Sequence, residues 1–213
     1  MSVDLHIMKK GGRLIPYESI IRSAFDEAIL KIKEKIVLPD VDVIVVDNPQ
    51  SAIPESGVGG FANSLHLITL SINPNLPSLG KTLAFEICST LAHELNHCIR
   101  MNVISSSYNT LFEALISEGL ADNFDIEVNQ TKPRPWSVAL DDEKLIELKK
   151  RAEADFNNSN YNHSDWFFGR DDLGIPKWAG YAIGFDIVKK HIEKTGKKAS
   201  ELTTVKAEEF FVE

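Results

Sequence analysis

"LAHELNHCIR", residues 91–100, places two histidines four residues apart with a glutamate between them, inside a run that otherwise reads as amphipathic helix. On an α-helix, positions i and i+4 share a face one turn apart, so His93 and His97 present both imidazoles to the same point. Two neutral ring nitrogens can then reach one ion at about 2.0–2.1 Å, the distance zinc prefers. Glu94 flanks the pair, and a carboxylate there can take a proton from a water whose pKa the metal lowers toward 7. A His-Glu-x-x-His pattern also arises by chance in about one chain in a hundred of this length and composition, so the motif needs support from elsewhere in the chain.

That support is a third ligand, because a catalytic zinc takes three protein ligands and leaves the fourth position open. Glu118 follows His97 by 21 residues on the next expected helix, and the intervening MNVISSSYN is short enough to turn that helix back against the first. Asp122, four residues further on, shares the face of Glu118 and can accept the free N–H of a ligand histidine, fixing its tautomer. Polar pairs at i, i+4 on two otherwise apolar helices are costly to bury, and a metal removes that cost. The bland alternative for Glu118 is an exposed helix carboxylate. Cys98 points about 100° away from His97, and Cys88 is turned about 140° from His93, which disfavours a cysteine ligand.

Outward from this stretch, the 213-residue chain has an ordinary globular composition, with 43% hydrophobic and 25% charged residues. Its net charge of -8 argues against a nucleic-acid partner, which needs clustered Lys and Arg. Short Lys runs such as Lys189-Lys190 read as solvated helix faces. The N-terminal MSVDLHIMKKGGRLIP lacks the pattern of a secretory signal, and no stretch reaches the roughly 18 apolar residues of a membrane span. Cys88 and Cys98, ten residues apart on one expected helix, would sit about 15 Å from each other, beyond disulfide reach. Two free thiols fit a reducing compartment, so the chain is expected in the cytoplasm.

Ile21, Ala24, Phe25, Ala28, Ile32 and Ile36 recur at helical spacing over 18–36. VDVIVVD reads as a buried strand stopped by Asn48-Pro49, and 53–77 holds one or two antiparallel strands, with His66 as a half-exposed strand residue. A helix from Leu79 to about Asn102, with Ser78 as N-cap, carries the opening motif. A second starts near Asn109, taken as its N-cap, and a third covers DDEKLIELKKRAEADF. An aromatic-rich loop over 157–178 precedes a fourth helix, AGYAIGFDIVKKHIEKT, ended by Gly196, and SELTTVKAEEFF forms a short last helix. Helix, strands and then helices imply an α+β protein with a small, mostly antiparallel N-terminal sheet and a helical C-terminal lobe. The expected organisation is one domain over 1–213, with lobes at about 1–103 and 104–213 and the metal cleft between them.

HELNH followed by SEGLAD resembles the gluzincin metallopeptidases, whose pattern is HExxH with a glutamate ligand on the next helix. The resemblance implies a zincin-like fold and one zinc ion held by His93, His97 and Glu118, with Glu94 as general base and Asp122 behind the ligands. More narrowly, LAHELNHCIR, EALISEGLAD and GYAIGFDIVKKHI resemble an uncharacterised bacterial family of predicted zinc-dependent proteases, from about Leu79 to the C-terminus. In gluzincin aminopeptidases a tyrosine, with a glycine three residues on, supports the oxyanion some 60-odd residues past the glutamate ligand. Tyr181 lies 63 residues after Glu118, although Ala182-Ile183 stand where a charged residue is usual, and a core-packed aromatic is the alternative. The aminopeptidase GxMEN motif is not found. Gly60, Phe61 and Ala62 could instead form the edge strand along which zincins lay a substrate, or a plain hairpin.

His163, in YNHSDWFF, is a second candidate for contacting the tetrahedral intermediate, against a surface loop histidine. Arg134 and Arg170 are candidates for a substrate carboxylate, against ordinary surface charges. The expected function is hydrolysis of a peptide or protein substrate by metal-activated water. The rival is a zinc-stabilised regulatory or peptide-binding module without turnover, and a metal hydrolase acting on a non-peptide amide is a third reading.

Overall fold

Alternating β-branched and polar residues settle as strand wherever one face can be buried. In the computed structural model, which describes residues 2–104 and 108–211, the chain forms two compact units, Met1–Asn102 and Val103–Glu213. The first unit contains β1 (Val3–Ile7), α1 (Glu18–Lys33), β2 (Val41–Asp47), β3 (Val58–Ser64) and β4 (Leu67–Ile72). Among the described residues the strands make a four-stranded sheet in the order β1-β2-β4-β3. Val43 and Val45 of β2, and Ile68, Leu70 and Ile72 of β4, are fully buried. Pairing Val43 with Ile68 and Val45 with Leu70 keeps these side chains in line.

The sheet is not mostly antiparallel as the sequence suggested. The β1–β2 and β2–β4 pairs are parallel, and only β3–β4, among the described residues, is antiparallel. The expectation rested on the 58–72 hairpin and passed over VDLHI, a five-residue strand with a weak alternating pattern. Joining β1 to β2 through α1 makes a helical crossover, which parallel neighbours require. The chain leaving β2 reverses through β3 and therefore enters β4 running in the direction of β2. His66 is in the turn joining β3 and β4 rather than in a strand; it is exposed, and its Nδ1 lies 2.8 Å from the Asp40 carbonyl oxygen.

The helix α2 (Leu79–Val103) buries Leu83, Ile87, Leu91 and Leu95 completely, a stripe at four-residue spacing. Each such side chain contributes about 1.5–3 kcal/mol relative to exposure. Two thiols tie α2 into its own unit: Cys88 Sγ donates to the Ala24 carbonyl at 3.3 Å, and Cys98 Sγ to that of Ser64 at 3.4 Å. Among the described residues no helix is long and apolar enough to cross a membrane.

The second unit is helical: α3 (Leu111–Asn129), α4 (Asp142–Asp155), α5 (His163–Phe168), α6 (Ala179–Thr195) and α7 (Ala199–Leu202). MNVISSSYN, expected to turn the chain between α2 and α3, includes Ser105, Ser106 and Ser107, which lie outside the described residues. Thr110, not Asn109, caps α3, its Oγ1 accepting from the Glu113 N–H at 3.2 Å. Every residue of α3 from Leu111 to Asp125 is buried, as befits a helix surrounded by others. The expected aromatic loop contains α5, because Asn162 is a good N-cap and accepts from the Asp165 N–H at 3.3 Å. The expected C-terminal helix divides into α7 and a 3-10 turn at Ala207–Phe210, while Gly196, at φ 71°, ends α6 as anticipated.

The α3–α6 contact is a backbone contact. A Cβ at Gly184 would collide with the Leu115 carbonyl oxygen, and one at Gly119 with the Gly184 carbonyl oxygen. Asn123 Nδ2 donates to the Gly119 carbonyl at 2.8 Å and to that of Phe185 at 3.4 Å, closing the crossing. Gly184→Ala should therefore destabilise the fold by about 1–3 kcal/mol through overpacking. Gly80→Ala, whose added Cβ meets nothing within 4 Å, should be neutral or mildly stabilising. Denaturant midpoints of the two variants check this, and equal midpoints would refute the close crossing.

Candidate metal centre

The buried stripe of α2 fixes which side its polar residues occupy. Glu94 and His97 are buried at 6% and 4% exposure, and His93 is half-buried. Their rings are edge-on, with centroids 4.7 Å apart, and the two Nε2 atoms are 3.0 Å from each other. Two ring nitrogens at that separation converge on one point, as the i, i+4 spacing requires.

Glu94 is confined by β3. A Cβ at Gly60 would lie 2.5 Å from Glu94 Oε1, 2.6 Å from its Cγ and 2.5 Å from Thr90 Cγ2. The strand backbone thus approaches the carboxylate as closely as a glycine permits. β3 is at the end of the strand order, and Phe61 on it is 65% exposed. Cys98, beside His97 in sequence, is fully buried, and burial, aided by the charge of Glu94, pushes its thiol up to about 12. It donates to Ser64 and stays neutral.

In the second unit Glu118, 7% exposed, accepts from the Tyr108 hydroxyl at 3.0 Å. Asp122, 1% exposed, accepts from Trp136 Nε1 at 3.0 Å and from Ser137 Oγ at 2.7 Å. Hydrogen-bond donors are what a buried carboxylate needs. One ligand atom from each of His93, His97 and Glu118 lies within 4.8 Å of the others, so the three could hold a metal ion.

His163 begins α5 and stacks on Phe167 at 4.2 Å, while Tyr181, in the first turn of α6, meets Phe167 edge-on at 5.0 Å. Both candidates therefore belong to one aromatic group, and His163 is on a helix rather than a loop. Burial pushes His163 below the usual histidine range, with the charge of Glu118 pulling the other way. Arg170 is exposed and paired with Asp165 at 3.1 Å and Asp172 at 3.0 Å. Arg134 is buried, its guanidinium 4.8 Å above the Trp136 ring. Sequence reasoning did not single out Tyr108, Trp136, Ser137 or Tyr161. TKPRPW read as a helix break, and no spacing rule links it to Asp122.

A His-His-Glu donor set of this kind is one that could hold a metal ion. The chain belongs to the family described as predicted Zn-dependent protease (DUF2268), whose model matches residues 21–212. It is similar to the uncharacterized protein YjfC of Bacillus subtilis, at 27% identity over 180 residues, which cover 77% of this chain and 57% of that protein. It is also similar to the uncharacterized protein YjaZ of the same organism, at 27% identity over 131 residues, 59% of this chain and 49% of that protein. The chain thus spans about half the length of these curated relatives. No solved structure matches it.

Cys88 and Cys98 are both buried thiols. Neither should react with an aromatic disulfide reagent at pH 8 in the folded protein, and both should react after denaturation. Rapid labelling of the native chain would contradict the burial that sets Cys98 near 12.

Proposed function

We propose that the chain is a single zincin-like metallopeptidase domain of the gluzincin type, acting on peptide or protein substrates in the cytoplasm. The observation that carries the reading is the approach of His93, His97 and Glu118 ligand atoms to within 4.8 Å of one another. The donor set fits zinc. Two nitrogens bound tetrahedrally to one ion lie about 3.3 Å apart, close to the 3.0 Å between the two Nε2 atoms. The description of the family as predicted Zn-dependent protease supports the same ion, and one ion suffices for three ligands and an open position.

Zinc held by His93, His97 and Glu118 would supply Lewis acidity, polarising the scissile carbonyl and acidifying water. Glu94 takes the proton of the attacking water and delivers it to the leaving amine. Asp122 holds a ligand histidine in one tautomer. Tyr181 and His163 donate hydrogen bonds to the developing oxyanion, each such donor being worth about 3–4 kcal/mol. Gly60, Phe61 and Ala62 offer main-chain groups to an extended substrate, a role favoured by the position of β3 at the end of the sheet order.

Glu94→Gln should lower peptide turnover by about 10²–10⁴-fold while zinc stays bound. Assays of the zinc-loaded protein against a proteome-derived peptide library, with metal content measured in parallel, check this. Undiminished turnover in the variant would remove Glu94 from the mechanism. Chelation should silence the enzyme yet leave it folded, whereas a zinc-stabilised module would melt.

Gly60→Ala tests the strand. The added methyl meets Glu94 Oε1 at 2.5 Å, so the carboxylate must shift, and a misplacement of about 1 Å costs about 10²-fold in rate. The expected result is a fall in kcat with zinc content unchanged. Wild-type kcat in this variant would show that Glu94 is not held by β3.

A further inference from the structure

A carboxylate that ligates an ion through one oxygen leaves the other to be oriented by a neighbouring donor. The Tyr108 hydroxyl donates to Glu118 Oε1 at 3.0 Å. Although 37% of Tyr108 is exposed, its hydroxyl is spent on a carboxylate that is only 7% exposed.

Tyr108 is itself supported. The Tyr161 hydroxyl donates to the Tyr108 carbonyl oxygen at 3.4 Å and lies 3.3 Å from Nδ1 of His163. The Tyr108 ring meets that of His163 edge-on at 6.2 Å, and His163 stacks on Phe167, which is fully buried. Burial, then the charge of Glu118, pushes the Tyr161 phenol up to about 12, which keeps it protonated. The phenol on Glu118 is therefore linked to the core of the second unit through Tyr161, His163 and Phe167. Two residues after Tyr108, Thr110 caps α3, the helix that carries Glu118.

We propose that Tyr108 is the positioning residue for Glu118, fixing Oε1 so that Oε2 is presented to the metal. The inference rests on the reading of Glu118 as a zinc ligand. Without the phenol the hydrogen bond that orients Oε1 is lost.

The test is zinc affinity, measured by competition with a chromophoric chelator on the full chain, for the wild type, Tyr108→Phe and Glu118→Gln. Cobalt absorption spectra and metal-free melting curves accompany it. Tyr108→Phe should weaken zinc binding by about 10–100-fold and alter the cobalt band intensity, beyond whatever small loss of metal-free melting temperature the missing hydrogen bond brings. A structural role alone would lower that temperature and leave the cobalt spectrum as it was. A wild type that binds no zinc, or Glu118→Gln with wild-type affinity, would overturn the ligand reading itself. Wild-type affinity and an unaltered cobalt spectrum in Tyr108→Phe, with Glu118→Gln weakened, would overturn the role of Tyr108 and leave the ligands standing. If Tyr108→Phe does not fold, Tyr161→Phe carries the test, since Tyr161 touches Tyr108 through its backbone carbonyl. A severalfold loss of zinc affinity there supports the proposal, and no loss overturns it.

Discussion

Buried ionisable side chains set the terms for this protein. Glu94, His97, Glu118 and Asp122 are each less than a tenth exposed, and each would cost several kcal/mol if its charge or lone pairs met nothing. The structure answers with donors: Tyr108 on Glu118, Trp136 and Ser137 on Asp122. For the two histidine nitrogens, 3.0 Å apart, a cation would resolve what is otherwise a confrontation of lone pairs or a single shared proton. Burial of this kind excludes water and strengthens each remaining electrostatic interaction.

Close backbone approach holds these groups still. Gly60 lets β3 run against Glu94, and the pairing of Gly119 with Gly184 lets α3 meet α6 without intervening side chains. Glu118 is one residue from that crossing and Asp122 three, so the helix bearing them has little freedom to roll. The same economy appears around Phe167, which stacks with His163 and meets Tyr181 edge-on. One core ring thereby orients two polar rings, each able to donate a hydrogen bond.

Much of this was legible in the residues themselves. Helical periodicity located α1, α2, α3, α4 and α6, since a stripe such as Leu83, Ile87, Leu91 and Leu95 has one conformation in which it can be buried together. The i, i+4 rule puts His93 beside His97, and Glu118 with Asp122 on one face. What escaped was short or cooperative. VDLHI has too few residues for its alternation to stand out, so β1 was missed, and with it the parallel half of the sheet. Asn109 looked as good a cap as Thr110, and only the hydrogen bond to the Glu113 N–H distinguishes them.

The amino-acid sequence by itself determined the five long helices, the hairpin that carries Gly60 and the chemical identity of the donor residues, because periodicity, turn chemistry and ligand type are local properties. Strand direction, the approach of β3 to Glu94 and the partners of Glu118 and Asp122 were decided only by the tertiary structure. Alternation along a strand is the same whether its neighbour runs parallel or antiparallel. A hydrogen bond between Trp136 and Asp122, or between Tyr108 and Glu118, depends on where loops of no regular period come to rest once the core has closed.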